Sequence, residues 1–518
     1  MDDKIKIKVK SSGFRDKIFW IAVSFTAIFS VWSLIDPIGL TGTLWDWVYA
    51  FHNTYGWFTI VMPLVFLIIC GFFAFSRFGS YTFGGKEAKP EFSTFSWMGM
   101  LFVAGIGVGL VNFGVAEPLS HYLTSPLGLP GGFTPHVAAQ NALNMTMFIW
   151  GFPAWAIYTI SGLVIGYFTY SRGAKYLPGS PIEEGFKDKK WSKLVGQITN
   201  VSAAGAAALT MAGSIGMGVF QIRNGVSAVT GIQFNDASLV SSIVILIVIF
   251  LTYSIPAALP VAKGMRRMGD INVIIAIAML VFVFLLGPTQ YFLRMILGTL
   301  GGTITQIVPI SVNAFPFLDK TWFNDWPLTT MIWWVSWTPF IGVFIARISK
   351  GRTLRQFVMA SIVVPTTFLV IWFSVFGGFG FMDAIVGSGA IADYILNNPN
   401  DVYLSFIMVL QSLPGFIVTG TVFVILITIF LSTSATSASI SLSMITSGGV
   451  SDAPPIKTII WSVIMATVAF ATIATGTLNG VRAVAVFLGI PYTFFLILQI
   501  SGTIRTIRSD YKKGDMSL

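Results

Sequence analysis

Charged residues, cysteine and histidine are all scarce in this chain. Asp, Glu, Lys and Arg make up 10% of the 518 residues, and 55% are hydrophobic, whereas soluble domains usually carry roughly 25% charged residues. The single cysteine excludes an internal disulfide, and none of the three histidines has a partner at zinc-ligand spacing. An enzyme that works through a metal or a Cys/His pair is therefore not expected.

The chain is rich in long apolar runs. Runs of about 20 residues, the length that crosses a hydrocarbon core, recur along nearly the whole chain and predict about twelve transmembrane helices. We place them near 18–36, 56–75, 95–116, 146–169, 197–221, 239–260, 271–292, 329–347, 357–378, 417–443, 457–476 and 481–502. The expected fold class is an all-α polytopic membrane protein.

The net charge of +10 follows the membrane topology and does not indicate a nucleic-acid partner. Most Lys and Arg, such as Lys187, Arg266 and Arg352, fall in the tails and alternate loops, as the positive-inside rule requires of the cytoplasmic side. We expect a multi-pass protein of a prokaryotic cell membrane with both termini in the cytoplasm. The basic KIKIKVK stretch, residues 4–10, would touch anionic lipid there.

Two stretches predict interrupted helices. FVAGIGVGLVNFG, residues 102–114, has glycine at every second position over part of its length, which weakens a helix. MIWWVSWTPF, residues 331–340, ends near Pro339. They lie five spans apart and so in opposite orientations, the pattern of an inverted repeat in secondary transporters. The alternative for the glycines is close packing of helices through small residues.

Two aromatic clusters lie within predicted spans. Several Trp and Tyr faces around one point make a box for a quaternary ammonium cation, which has no N–H to donate. Simple filling of volume in the core is the alternative interpretation. The residues concerned are Trp150, Trp155 and Tyr158 in IWGFPAWAIY and Trp333, Trp334 and Trp337 in MIWWVSWTPF.

Hydroxyl side chains are dense in IFLSTSATSAS, residues 429–439, and recur at Thr210 and Ser214, one helical turn apart. Hydroxyl and carbonyl oxygens are hard ligands that suit an alkali cation. The alternative is that these hydroxyls bond to carbonyls of their own helix, which is common in membrane segments.

The chain resembles the betaine/carnitine/choline transporter family in AGIGVGLVNFG, AEPLSHY, WGFPAWAIY, WWVSWTPFIGVFIARISKGRTLRQF and FLSTSATSAS. The resemblance implies two peripheral N-terminal helices followed by two inverted five-helix repeats, assembled as a homotrimer. The divisions it implies are 1–90 for the cytoplasmic tail and peripheral helices, 91–295 for the first repeat, 296–328 for an amphipathic extracellular connector, 329–503 for the second repeat and 504–518 for the cytoplasmic tail.

The resemblance also implies the site residues. The substrate would lie within an aromatic box of Trp150, Trp155, Tyr158 and Trp334, with Trp333 and Trp337 beside it and with Gly105, Gly107 and Gly109 in the opened helix. A sodium ion would be held by carbonyls of Val103 and Ile106 together with Phe430, Thr433 and Ser434. A second sodium site would lie near Thr210 and Ser214.

Three positions bear on which substrate the protein carries. Gly109 stands where choline carriers tend to have Asp, which favours a zwitterion such as glycine betaine. Asn112 and Met331 depart from the family pattern: Asn112 would hydrogen-bond a carboxylate, and Met331 would reshape the pocket.

We expect Na⁺ symport with Na⁺ as the coupling ion and no other cofactor. The alternatives are a Na⁺-independent carnitine or butyrobetaine exchanger and, less favoured, a membrane-embedded enzyme.

Overall fold

The computed structural model describes residues 17–106, 109–234, 239–261, 263–318, 320–398, 402, 404–452, 454–475 and 478–513. Gly107 and the KIKIKVK stretch lie outside the described residues. The described part is helical, with one isolated antiparallel bridge between Thr82 and Thr353. The prediction of an all-α polytopic membrane protein is confirmed.

Nineteen α-helices are described within those residues. They are α1 (Lys17–Ile35), α2 (Pro37–Phe75), α3 (Thr94–Ile106), α4 (Gly109–Thr124), α5 (Pro135–Trp150), α6 (Phe152–Arg172), α7 (Ser180–Gly185), α8 (Ser192–Thr230), α9 (Val240–Ala258), α10 (Met265–Leu286), α11 (Thr289–Ser311), α12 (Lys320–Phe323), α13 (Thr329–Ile348), α14 (Leu354–Val386), α15 (Ala390–Asn397), α16 (Leu404–Gln411), α17 (Phe416–Ile445), α18 (Pro455–Thr475) and α19 (Leu478–Lys513).

Within the described residues, twelve helical stretches are long and apolar enough to cross a membrane, and the bent pair of α3 and α4 forms one more. Each of the twelve predicted spans overlaps one of these stretches. The second span is longer than predicted, because α2 begins at Pro37. The additional apolar helix is α11, between the seventh and eighth predicted spans.

The packing of the helices shows an internal symmetry. The helices divide into two halves of equal order. If α3–α4 corresponds to α12–α13, α5–α6 to α14, α8 to α17, α9 to α18 and α10 to α19, each contact described next has a counterpart between the corresponding helices. α4 packs on α14 as α6 packs on α13; α8 packs on α18 as α9 packs on α17; and α3 packs on α10 as α13 packs on α19. α8 and α17, which hold corresponding places, pack on each other. This exchange is what two structural repeats related by a two-fold axis would give, and the division into inverted repeats stays a prediction.

One face of the bundle, which we call the N-terminal face because α1 begins there, is fastened by contacts between loops. The Tyr176 N–H donates to the Gly449 carbonyl (3.1 Å). Arg347 at the end of α13 lies 2.8 Å from a Glu91 carboxylate oxygen and 3.4 Å from one of Asp452. These bonds join the segment before α3, the end of α13 and the loop between α17 and α18.

Both ends of the described chain lie on this N-terminal face. The Phe19 ring in the first turn of α1 contacts Trp461 near the start of α18, with ring centroids 5.9 Å apart. At the other end of the chain, Arg505 of α19 donates to Asp188, between α7 and α8, at 2.6 Å. An even number of crossings is needed to bring both ends to one face.

α11 begins and ends on the opposite face. Near its start Phe292 contacts Phe379 close to the end of α14, with centroids 5.2 Å apart. Just after its end, Phe315 contacts Trp322 (6.3 Å), which in turn contacts His121 near the end of α4 (5.9 Å). α11 therefore connects the two halves without crossing the bundle, although its length and hydropathy would allow it to span.

The two predicted interruptions have different outcomes. α3 ends at Ile106 and α4 begins at Gly109, and the two axes differ by 60°. The second prediction is wrong, since α13 runs unbroken through Pro339. The irregularity lies earlier, in a π-helical turn over Asn324–Leu328 that contains Pro327. Neighbouring hydroxyls and helices can satisfy the backbone groups that a proline frees, so membrane helices tolerate it.

Candidate functional site

Two tryptophans from opposite halves of the bundle form the centre of the site. Trp150 is the last residue of α5, where Gly151 separates α5 from α6, and it meets Trp334 of α13 edge to face, with centroids 4.9 Å apart and planes at 76°. The Trp150 indole N–H donates to Glu117 Oε2 (2.7 Å). The Trp334 N–H donates to the Ile149 carbonyl (2.9 Å). Both indole donors are occupied, which leaves the ring faces as the available surface.

Trp155 and Tyr158 of α6 extend this pair into a row of rings. Trp155 meets Tyr158 at 5.7 Å, and Tyr158 meets Trp334 at 6.0 Å, both edge to face. Gly105 of α3 packs against both α6 rings, and a Cβ there would lie 3.0 Å from the Trp155 ring. The four aromatic residues predicted for the box are thus brought together, and a glycine in α3 makes room for two of them.

A pocket with about 540 Å³ of space, open solvent included, lies beside Trp150 and Trp334. It is bounded by α3, α4, α5, α8, α13, the π-helical turn and α19. The lining residues are Ile106, Gly109, Asn112, Phe113, Glu117, Trp150, Ser214, Met217, Trp326, Thr330, Trp333, Trp334, Trp337 and Arg482. Three of the predicted substrate residues, Trp155, Tyr158 and Gly105, are not among the lining residues.

The face that α13 turns to the cavity follows helical spacing. Thr330, Trp333, Trp334 and Trp337 stand at i, i+3, i+4 and i+7 and so share one side of the helix. Met331 lies about 100° around the helix from Thr330. It is fully buried in the core and is not part of the cavity wall. The position that contributes a pocket side chain here is Thr330, which the sequence analysis did not select.

The first turn of α4 supplies two of the predicted residues. At Gly109 an added Cβ would lie 2.8 Å from the Trp150 ring, so glycine permits this close approach. Asn112, one turn further on, is buried, and its Oδ1 has no hydrogen-bond partner among the described residues. An amide in this position offers both donor and acceptor groups to a ligand.

The hydroxyl-rich helix α17 meets α3 at the predicted sodium residues. The Ser434 hydroxyl donates to the Val103 carbonyl at 3.0 Å. Thr433 donates to the Phe430 carbonyl in its own helix (2.8 Å) and accepts from the Asn272 amide (3.4 Å). The structure thus joins Val103 with Ser434 directly, while Thr433 and Phe430 lie on the adjacent turn of α17. Ile106, at the end of α3, lines the cavity.

The second hydroxyl pair lies on the other side of the cavity. The Ser214 hydroxyl donates to the Thr210 carbonyl (3.2 Å) within α8, and Thr210 Oγ1 donates to Ser336 Oγ of α13 (3.4 Å). Ser214 also lines the cavity. Three hydroxyls from α8 and α13 therefore converge next to the aromatic box, and Ser336 is an addition to the predicted pair.

Polar groups near the opposite face were only partly predicted. Glu117 lies inside α4, which continues to Thr124. Besides accepting from Trp150, its Oε1 lies 3.5 Å from His121 Nε2. Arg482 of α19 was missed altogether. An ionisable residue inside an apolar span is itself a functional signal, and this one was available in the sequence.

Comparison with known proteins identifies a family over almost the whole length. The family model described as betaine/carnitine/choline family transporter (BCCT) matches residues 17–512.

Curated relatives align over similar lengths. The high-affinity choline transport protein of Escherichia coli strain K12 is 31% identical over 513 residues, which cover 96% of this chain and 74% of that protein. The glycine betaine transporter OpuD of Bacillus subtilis strain 168 is 32% identical over 505 residues, 96% of both chains. Glycine betaine transporter 1 of Vibrio parahaemolyticus is 32% identical over 490 residues, covering 93% of this chain and 92% of the relative.

Proposed function

Because this chain belongs to the betaine/carnitine/choline transporter family and is a multi-pass membrane transporter, not an enzyme, we propose that it takes up a betaine-type quaternary ammonium zwitterion by Na⁺ symport. Glycine betaine is the representative substrate. The observation that carries the proposal is the edge-to-face pair of Trp150 and Trp334, whose indole N–H groups are both bound elsewhere.

Such a pair suits a methylated cation. A trimethylammonium group is a diffuse charge without N–H donors, and it is attracted to aromatic faces by about 2 kcal/mol or more when desolvated. Trp150 and Trp334 present those faces to the cavity, with Trp333 and Trp337 completing the aromatic wall. Two of the three relatives described above are named for glycine betaine and one for choline, and all three names fit a quaternary ammonium substrate.

A zwitterion is favoured by the residues around the rings. Gly109 contributes no charge, and its close approach to Trp150 leaves no room for a carboxylate at that position. Asn112 in the cavity wall supplies an amide that can donate to a substrate carboxylate. The anionic partner of the ammonium group is therefore expected on the substrate itself.

Coupling to Na⁺ is supported by the contact between α3 and α17. The Val103 carbonyl in the last described turn of α3 accepts a hydrogen bond from the Ser434 hydroxyl of α17, so a backbone oxygen and a hydroxyl oxygen meet there. Oxygen-only surroundings suit an alkali ion. A membrane potential would then contribute about 2.3 kcal/mol per charge per 100 mV to inward transport.

We further propose that the N-terminal face is the cytoplasmic one, on the basis of its Lys and Arg content, and that the protein is a homotrimer. Transport would proceed by alternating access, with the two halves rocking around the aromatic cavity. Labelling of single cysteines introduced on each face of intact cells tests the orientation, and native mass spectrometry tests the trimer.

Uptake by purified protein in liposomes tests the central proposal. We expect saturable uptake of radiolabelled glycine betaine that requires an inward Na⁺ gradient, with K⁺ unable to replace Na⁺. Equal uptake without Na⁺, stimulated by carnitine loaded inside, would replace symport with exchange. Absence of saturable uptake for betaine, choline and carnitine alike would refute the quaternary ammonium assignment.

A further inference from the structure

Arg482 places a guanidinium group in the wall of the aromatic cavity. It lies in the first turns of α19, and its Nη2 donates to the Asp325 backbone carbonyl at 2.9 Å. The guanidinium carbon is 5.7 Å from the centre of the Trp326 ring and 6.0 Å from that of Trp333. Two aromatic rings and one carbonyl thus fix the group at one end of the cavity.

Two carboxylates near Arg482 each accept one hydrogen bond from another residue. The Asp325 side chain accepts from the Tyr49 hydroxyl (2.6 Å), and Glu117 Oε2 accepts from Trp150, while Glu117 Oε1 has no hydrogen-bond partner among the described residues. Within the described part of the chain, no carboxylate forms a salt bridge with Arg482, and its buried Nε has no hydrogen-bond partner. The guanidinium therefore has unused donor capacity.

A cation in this position calls for a counter-charge. Burying an unpaired charge is costly, and charged side chains inside membrane proteins pair with one another or mark ligand paths. A guanidinium is also the group that binds a carboxylate through two parallel hydrogen bonds. Arg482, Trp150 and Trp334 line the same cavity, so the guanidinium and the aromatic faces border one space.

We propose that Arg482 binds the carboxylate of the transported zwitterion and so sets a preference for carboxylated over uncharged quaternary ammonium compounds. This inference rests on the proposed function. The trimethylammonium group occupies the aromatic end, and the carboxylate meets the unused donors of Arg482, with the Asn112 amide as a second donor. A choline-like ligand, which carries a hydroxyl in place of the carboxylate, gains nothing from the guanidinium.

The test compares two ligands on one protein. Binding of glycine betaine and of choline is measured by isothermal titration in Na⁺ buffer for the wild type, Arg482→Gln and Arg482→Lys. Hydrogen bonds to charged groups contribute enough that Arg482→Gln should weaken betaine binding by about tenfold to a hundredfold. Choline binding should change by less than about threefold, and Arg482→Lys, which keeps the charge but loses the planar fork, should fall between.

Arg505→Gln is the matched control. Arg505 lies in the same helix and pairs with Asp188 on the N-terminal face, away from the cavity, so neither affinity should change. Thermal unfolding of each variant establishes that it is folded. If Arg482→Gln does not fold, Arg482→Lys tests the role of Arg482 instead. The ratio of betaine affinity to choline affinity in that variant should be lower than in the wild type.

The outcomes separate the two proposals. Equal weakening of both ligands in Arg482→Gln, or no weakening of betaine, would overturn the role of Arg482 while the transporter proposal stands. If only Arg482→Lys folds, an unchanged ratio of betaine affinity to choline affinity in that variant would also overturn the role of Arg482. A wild type that binds neither ligand would overturn the proposed function, and the inference would fail with it.

Discussion

The α3–α4 span and helix α13 hold corresponding places in the two halves of the bundle, yet they meet the cavity differently. α3 ends at Ile106 and α4 leaves at 60° to it, and the Val103 carbonyl accepts a hydrogen bond from Ser434 of a different helix. α13 remains continuous, and its hydroxyls donate within the helix: Ser336 to Trp333 O (2.7 Å) and Thr338 to Trp334 O (3.0 Å).

The difference shows how two related helices can take different roles. The span that bends by 60° brings a backbone oxygen of α3 against a hydroxyl of another helix, and oxygen ligands suit an alkali cation. The continuous helix α13 presents one face of side chains to the cavity, Thr330 and three tryptophans. We expect substitutions in α13 to act on substrate binding and substitutions around the end of α3 to act on Na⁺ dependence.

The largest effect is expected from replacing a tryptophan on the cavity face of α13. Trp334→Leu removes the ring that contacts Trp150 and Tyr158, and the lost cation–π attraction of about 2 kcal/mol or more should weaken betaine binding at least thirtyfold, roughly. Isothermal titration measures it. Trp57→Leu, on the exposed surface of α2, is the control and should bind normally. Unchanged affinity in Trp334→Leu would show that the ring does not hold the substrate.

The next effect arises where the broken span touches the aromatic pair. Gly109→Ala places a Cβ 2.8 Å from the Trp150 ring, and the ring must shift to accommodate it. Overpacking of this kind costs about 1–3 kcal/mol, so we expect betaine affinity to fall about tenfold. Gly99→Ala in α3 is the control, since its Cβ would lie at ordinary contact distance, 3.5 Å from Val273. Equal effects of the two substitutions would argue against a specific role for Gly109.

A smaller effect is expected where the hydroxyls of α17 meet the backbone of α3. Thr433→Ala with Ser434→Ala removes the hydroxyl that reaches Val103 O together with its neighbour, and a combined loss of about 1.0–1.4 kcal/mol, toward the low end for two such contacts, should raise the Na⁺ concentration for half-maximal uptake about fivefold to tenfold. Liposome uptake across a Na⁺ series measures it. Thr421→Ala on the exposed side of the same helix should leave the Na⁺ dependence unchanged. If the double variant behaves like this control, the ion lies elsewhere.

The smallest effect is expected at a buried hydroxyl of α13. Thr338→Ala removes a hydrogen bond internal to the helix, so the Na⁺ concentration for half-maximal uptake should change by less than about twofold. The volume lost at this buried position should lower the unfolding temperature slightly. The same uptake series provides the measurement. A shift as large as that of the α17 double variant would erase the distinction between the two helices.

The helical fold and most of the aromatic box could be predicted from the sequence. Crossing a bilayer requires about 20 apolar residues whose backbone groups bond internally, which makes spans visible. Trp150, Trp155, Tyr158 and Trp334 were predicted from side-chain type and family resemblance. The i, i+3, i+4, i+7 spacing from Thr330 to Trp337 was also available, and it would have excluded Met331 from the cavity face.

Contacts between distant segments could not be predicted in this way. The hydrogen bond from Arg482 to Asp325 joins residues 157 positions apart, and hydropathy carries no information about such pairing. The unbroken path of α13 through Pro339 was mispredicted for a related reason. Whether a proline interrupts a membrane helix depends on the neighbours that satisfy its surroundings, and those neighbours come from elsewhere in the chain.

The paired rings of Trp150 and Trp334 have a consequence for which cations the aromatic part of the cavity can refuse, because an indole carries no hydrogen-bond acceptor. A primary ammonium brought between these rings would lose water from three N–H donors and find no acceptor on either indole. An uncompensated polar group of this kind costs a few kcal/mol, about 1–3 by mutational measures. A trimethylated nitrogen has no such bonds to lose. Discrimination against lysine-like and ethanolamine-like solutes would thus arise from hydrogen-bond acceptors that the two rings do not provide.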